Sequence, residues 1–269
     1  MRIDSLKLIY FSPTETTRKL VSAIAQGFPS TQVDHLNLTM PESASRDFAN
    51  SSDGLAIIGM PVYGGRLPAE AVARLRRING NSTPAVVVVL YGNRAYDDAL
   101  IELRDLAVEL GFLPIAAGAF VGEHSFSDEN TLIAHRRPDQ EDLTRAAEFG
   151  AAIRTRLDDI SSLEEVPSMQ VPGNIPYTDY RVLRGVSPVS DDLICTRCGT
   201  CATVCPTGAI TMQNNKMVTD VGQCILCCAC VKNCTTGGRE LLDQRIGNLR
   251  SMLVSKFSAR KEPETYFSL

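Results

Sequence analysis

No apolar run in these 269 residues approaches the ~18 that a membrane-crossing helix needs, so no membrane span is expected. Positive charge is not in excess either. With 27 Lys and Arg against 31 Asp and Glu the formal net charge is −4, which removes the basic footprint of a nucleic-acid binder. The opening residues MRIDSLKLIYFSPTE hold no charged leader followed by a long apolar stretch, so no secretory signal is expected. No G-x-G-x-x-G follows a strand-like run, which leaves nicotinamide dinucleotide binding without sequence support. A Walker loop and a nucleophile elbow are missing as well. Cysteine is absent from the first 194 residues and then abundant, all nine falling between Cys195 and Cys234. A disulfide framework spreads an even number of cysteines through the fold it staples, and this sequence does neither. Clustered cysteines without a secretory leader suit a cytoplasmic location, where they hold metal or do redox work.

The chain is long for one compact domain and comfortable for one and a half. At 44% apolar and 22% charged it can bury a core. Composition divides it into four parts. Residues 1–157 alternate β-branched runs with helical periods; 158–190 form a connector carrying Pro167, Pro172, Pro176 and Pro188. Residues 191–240 hold the cysteines, and 241–269 form a tail. Strands are predicted at Leu6–Tyr10, Val33–Leu38, Leu55–Met60, Ala85–Tyr91 and Ile115–Val121. The run from Val86 to Leu90 suits a central parallel strand covered on both faces. Helical faces recur at Leu20, Val21, Ile24, Ala25 and Phe28, at Leu100, Leu103, Leu106, Ala107 and Leu110, and at Ala146, Phe149, Ile153 and Leu157. Strands alternating with helices predict a doubly wound five-stranded parallel α/β sheet in the order 2-1-3-4-5. Ligands bind such sheets at the carboxyl ends of the strands, which singles out the loops after Tyr10, Met60, Tyr91 and Val121. In the tail, Leu242, Ile246, Leu249, Leu253 and Phe257 recur at helical spacing and are expected to pack back on the body.

Cys195, Cys198, Cys201 and Cys205, followed by Pro206, read C-x2-C-x2-C-x3-C-P. Cys224, Cys227, Cys230 and Cys234 repeat that spacing 29 residues later, with Thr235 in place of the proline. Two such runs are the signature of a two-cluster iron–sulfur ferredoxin, in which the fourth cysteine of each run ligates the other cluster. One 4Fe–4S cluster then takes Cys195, Cys198, Cys201 and Cys234, and the other takes Cys224, Cys227, Cys230 and Cys205. Structural zinc is the rival, but it favours separated C-x2-C pairs and four ligands per ion. Cys228 is left over and reads as a buried thiol. Between the arrays, Ile210–Met212 and Met217–Val218 flank Gln213-Asn214-Asn215-Lys216 as a small hairpin.

The first singled-out loop, FSPTETTRKL, ends a strand in Ser12, Thr14, Thr16 and Thr17 just before a helix. Hydroxyls and free N–H groups at a helix start suit a phosphate, although the same residues are ordinary N-caps. The next two loops are Pro61-Val62-Tyr63-Gly64-Gly65-Arg66-Leu67-Pro68 and Gly92-Asn93-Arg94-Ala95-Tyr96-Asp97. Each offers glycine for close backbone approach and an aromatic ring able to stack on a flat ligand. His124, after the fifth strand, lies on the ligand edge; His35 and His135 read as structural, and Arg136-Arg137 as a solvated stretch.

With these motifs in hand, residues 1 to about 155 resemble a flavodoxin domain, and the whole chain resembles the anaerobe family that fuses a flavodoxin to a two-cluster bacterial ferredoxin. FSPTETT, PVYGGRLP, YGNRAYDDAL, GAFVGEHSFS and both cysteine arrays carry the resemblance. It implies a flavodoxin-like sheet plus a small α+β ferredoxin domain, with FMN and two 4Fe–4S clusters as cofactors. Ser12, Thr14, Thr16 and Thr17 would hold the FMN phosphate. Tyr63 and Tyr96 would flank the ring, the backbone at Gly64, Gly65, Gly92 and Asn93 would meet its polar edge, and Pro61 and Val62 would belong to the same cofactor-binding loop. Glu15 departs from the glycine usual at its position: turned to solvent it costs little, turned inward it opposes the phosphate by about 1–4 kcal/mol. The implied function is electron transfer between the clusters, FMN and a protein donor or acceptor. A flavin-dependent reductase of a small substrate and a redox sensor on a flavin-free scaffold are the alternatives.

Overall fold

The computed structural model describes residues 3–42, 54–160, 162–181 and 183–268. Ser161 and Val182 of the expected connector, and the chain ends of the first and last expected segments, lie outside the described residues. The five expected strands form, with ends displaced by a residue or two: β1 (Ser5–Tyr10), β2 (Gln32–Asn37), β3 (Gly54–Pro61), β4 (Pro84–Tyr91) and β5 (Leu113–Val121). They pair in parallel in the order β2-β1-β3-β4-β5, as the alternation of strand and helix predicts. Every residue of β3 and β4 is buried. The valine run explains itself: Val87 and Val89 face one core, and Val86 and Val88 face the other.

The helices are α1 (Thr16–Ala25), α2 (Ala69–Leu75), α3 (Ala99–Glu109) and α4 (Gln140–Asp158). The pair α2 and α3 covers the first core through Ala71, Leu75, Leu100 and Leu103. The second core takes Leu20, Val21 and Ile24 of α1 and Phe149 and Ile153 of α4. Those two helices meet almost backbone to backbone. A Cβ on Gly150 would lie 2.0 Å from the Ile24 carbonyl oxygen, and one on Gly27 would lie 2.2 Å from the Ala151 nitrogen. At the start of α4, Arg137 is buried against Asp142, so only Arg136 and His135 of that stretch meet solvent. The expected solvation of Arg137 is therefore corrected: the α4 capping carboxylates need a cation, and Arg137 supplies it.

The connector is pinned rather than loose. Asp98 is fully buried and accepts from Asn174 N–H (2.8 Å), Asn174 Nδ2 (2.8 Å), Thr178 N–H (2.7 Å) and Thr178 Oγ1 (2.7 Å). Beside it, Arg66 grips Glu102 through two hydrogen bonds and donates to the Thr178 carbonyl at 2.9 Å.

Beyond the connector, β6 (Val189–Ser190) pairs with β9 (Arg239–Glu240). Between them come α5 (Thr200–Thr203), the hairpin β7 (Ile210–Gln213) and β8 (Lys216–Thr219), and α6 (Ala229–Lys232). Asn214 and Asn215 turn the hairpin, both with positive φ (48° and 59°), the backbone a tight two-residue turn demands. The tail does pack back. Helix α7 (Gln244–Phe257) buries Ile246 and Leu253, while Leu242, just before it, is exposed. A last strand, β10 (Glu264–Phe267), extends the main sheet antiparallel to β5 and gives it a sixth member that the periodicity does not predict. No helix among the described residues is long and apolar enough to cross a membrane.

Candidate functional site

A cavity of about 510 Å³ opens at the carboxyl ends of β1, β3, β4 and β5, within the range of small-molecule sites. Its polar end is the loop into α1, where Thr14, Thr16 and Thr17 line the wall. Thr17 is 1% exposed and its Oγ1 has no hydrogen-bond partner, so a polar ligand atom is wanted there. Within the described residues the N–H groups of Thr14, Thr16 and Thr17 also find no acceptor in the chain. Ser12 does not line the cavity; its Oγ accepts from Arg18 N–H (3.0 Å) and its own N–H donates to Thr39 Oγ1 (2.8 Å), which shapes the loop from behind. Glu15 faces solvent, half exposed and paired with Arg18 at 2.9 Å. The alternative in which it opposes a phosphate from inside the loop does not arise.

The second loop is a tight turn. Tyr63 and Arg66 exchange backbone hydrogen bonds (2.9 and 3.1 Å) across Gly64 and Gly65, whose φ values of 59° and 87° explain the glycines. Pro61, Val62, Tyr63, Gly64 and Gly65 all line the cavity, as does Gly92 of the third loop. A Cβ on Gly92 would strike the His124 ring at 2.3 Å. His124 lines the same wall; its Nδ1 accepts from Phe126 N–H (3.1 Å), which leaves the proton of the neutral ring on Nε2. Burial first, then Lys232, Arg94 and Arg250, pushes its pKa down to about 4, so it stays neutral near pH 7.

Two expected contacts of the third loop are corrected. Tyr96 is turned into the core, where its hydroxyl donates to Glu264 (2.7 Å) and meets Tyr266 (3.1 Å) on β10, so it lines no part of the cavity. Asn93 is buried behind the wall, its Nδ2 donating to the Phe257 and Ala259 carbonyls (2.6 and 2.8 Å) at the end of α7. Both residues are claimed by the C-terminal tail. In place of Tyr96 the cavity takes Tyr180 from the connector, a residue with no periodicity or motif to mark it.

The roof is apolar, made by Leu249, Met252, Leu253 and Phe257 of α7 together with Ile225 and Leu226. The last two lie between Cys224 and Cys227, so the second cysteine array borders the cavity directly. Burial raises the Tyr63 hydroxyl pKa, with Cys227 and Cys228 next among the causes.

The structure brings the cysteines together in two groups. Cys195, Cys198, Cys201 and Cys234 ring one small cavity. Cys205 lies with the other set, acting electrostatically on Cys224, Cys227 and Cys230. Burial pushes those three thiols up, whereas hydrogen bonding to Thr200 draws the exposed Cys198 down. No three His, Cys, Asp or Glu side chains among the described residues converge on a single-ion site. Cys228 is buried with Leu226, Phe126 and Ile246 in an apolar cluster against which Cys224 also packs.

The strand order and its ligand-edge cavity define a flavodoxin-type α/β domain, and the two cysteine sets define an iron–sulfur module beside it. Residues 187–235 match the family described as 4Fe-4S dicluster domain, so the chain joins a flavodoxin-like fold to a ferredoxin-type dicluster domain. Among solved structures it is similar to a flavodoxin from the domain Archaea, with 14% identity over 57% of this chain and 99% of that one and a TM-score of 0.38. It is similar also to a Streptococcus pneumonia TIGR4 flavodoxin (22% identity, 55% and 98% covered, TM-score 0.35). A Fusobacterium nucleatum flavodoxin bound to flavin mononucleotide is a third (18% identity, 56% and 98% covered, TM-score 0.36). No curated protein matches the chain.

Proposed function

We propose that the protein transfers electrons, using two 4Fe–4S clusters and an FMN held in the cavity, and exchanges them with an external protein partner. One observation carries this reading: the loop between Cys224 and Cys227 and the hydroxyl loop before α1 line the same cavity. The buried set is thus the proximal one. The other set includes exposed Cys198 and adjoins Leu193, which is 93% exposed, and it serves as the port for a partner.

The residues present fit FMN. Thr14, Thr16 and Thr17 would hold the phosphate with N–H and hydroxyl donors, at the positive end of α1. Gly64, Gly65 and Gly92 let Arg181, Asp97 and His124 pack closely against the two loops that line the cavity, and Tyr63 and Tyr180 would give a flat ring aromatic walls. Bound there, FMN would supply a centre that exchanges electrons singly or in pairs. The apolar residues of α7 cover one side of the cavity, and neutral His124 on its wall adds no charge there.

Flavin and iron content per chain after anaerobic purification tests the proposal. The expected result is about one FMN and roughly eight irons, as two cubanes require. Full iron with no flavin, even after incubation with excess FMN, would overturn the flavin half of the reading. Absence of iron–sulfur absorption would overturn the other half.

A further inference from the structure

A buried charge must find a counter-charge, because an unpaired one is strongly disfavoured in a low-dielectric interior. Arg239 on β9 is 2% exposed, yet its partners are neutral. Its Nη1–H donates to Ser190 Oγ at 2.8 Å and its Nη2–H to Thr219 Oγ1. No ion pair to it is seen among the described residues, and its Nε has no hydrogen-bond partner at all.

What surrounds this guanidinium is sulfur. It borders the small cavity ringed by Cys195, Cys198, Cys201 and Cys234. On its other side β9 packs against α6, the helix that carries Cys230 of the proximal set, and the charge of Arg239 acts on that thiol. It therefore stands between the two sets, and an arginine is a permanent charge. A cluster held by four thiolates is a net anion and gains one more negative charge on reduction, and its potential follows nearby charge and hydrogen bonds to sulfur.

We propose that Arg239 is the shared counter-ion of the two clusters, a positioning residue whose charge favours the reduced state of both and whose free Nε–H donates to sulfur. The proposal rests on the reading that each cysteine set holds a 4Fe–4S cluster. It assigns a role to a residue outside both cysteine motifs, and it makes the two potentials depend on one side chain.

A brace between β6, β8 and β9 is the competing role, and it leaves potentials alone. The test is an anaerobic redox titration followed by EPR on the full chain, with iron and sulfide measured first. Arg239→Gln with full iron is expected to shift the one-electron reduction equilibrium of both clusters about tenfold toward the oxidised form, which is 59 mV lower for a one-electron couple. Arg239→Lys keeps the charge and is expected to shift by less than half as much. Unchanged potentials in Arg239→Gln with full iron overturn the proposal. Should Arg239→Gln fail to assemble, Arg239→Lys decides: intact clusters with potentials near wild type support the counter-ion, and equal loss of iron leaves the brace and overturns it. Wild-type protein with far fewer than about eight irons fails the two-cluster reading itself, and the proposal with it.

Discussion

At the N-cap of α1, Glu15 holds a left-handed backbone (φ 63°) without a side-chain cap. That conformation costs an L-residue roughly 1–2 kcal/mol, which glycine avoids. Replacing it would also loosen the unfolded chain by roughly 0.5 kcal/mol and lose an exposed ion pair worth a few tenths. Glu15→Gly is accordingly expected to stabilise the protein by about 0.5 kcal/mol in a thermal melt. Because the side chain faces solvent and is paired with Arg18, FMN affinity is expected to change by less than about twofold. Weaker FMN binding in the variant would show that the Glu15–Arg18 pair holds the loop open for the phosphate. Residues of this kind were legible in the sequence because their roles are local: the threonines follow one another, and each cysteine finds its set by spacing. Tyr96 was not legible. Its orientation is fixed by Glu264, 168 residues away, on a strand too short to announce itself.

Elements followed the same rule. Strands β1 to β5 and helices α1, α3 and α4 carry their periodicity in full, whereas the connector carries none, and its path is set by one buried carboxylate. Burial alone would raise the Asp98 pKa; hydrogen bonds from Thr178 and Asn174 outweigh it and hold the group at about 2. Because the folded value lies below the ordinary carboxylate value of about 3.9, Asp98 stabilises the fold above that pH. The contribution, about 2 kcal/mol, is lost as pH falls from about 4 to about 2. Asp98→Asn sets an amide N–H₂ against donors from Thr178 or Asn174 and is expected to cost about 2 kcal/mol at neutral pH. Amide exchange at Asn174 and Thr178 reads it directly. Protection equal to wild type at both amides would mean that Arg66, through the Thr178 carbonyl, pins the connector unaided.

For the whole molecule, the question is what keeps the dicluster domain against the cavity so that the Cys224–Cys227 loop can line it. Lys232 reaches Glu123 and the Ser127 carbonyl, and Arg250 reaches the Phe126 carbonyl, all on the segment after β5. On the opposite side a buried arginine makes a bridge. Arg74 on α2 is buried, donates to the Leu38 carbonyl (2.8 Å) and the Thr39 carbonyl, and reaches the Pro206 carbonyl at 2.5 Å. Pro206 follows Cys205, and Thr39 Oγ1 in turn receives the Ser12 N–H at the base of the hydroxyl loop. A cysteine of the buried set and the proposed phosphate loop are thereby joined through one guanidinium. Arg74→Met strands three buried carbonyls and is expected to cost about 2–4 kcal/mol. Because the lost bonds hold the loop from behind, FMN should also dissociate faster, although Arg74 lines no part of the cavity. Release of flavin fluorescence on dilution measures that rate, and denaturant unfolding measures the stability. If stability falls while flavin release stays at the wild-type rate, the brace holds the domains together without reaching the phosphate loop.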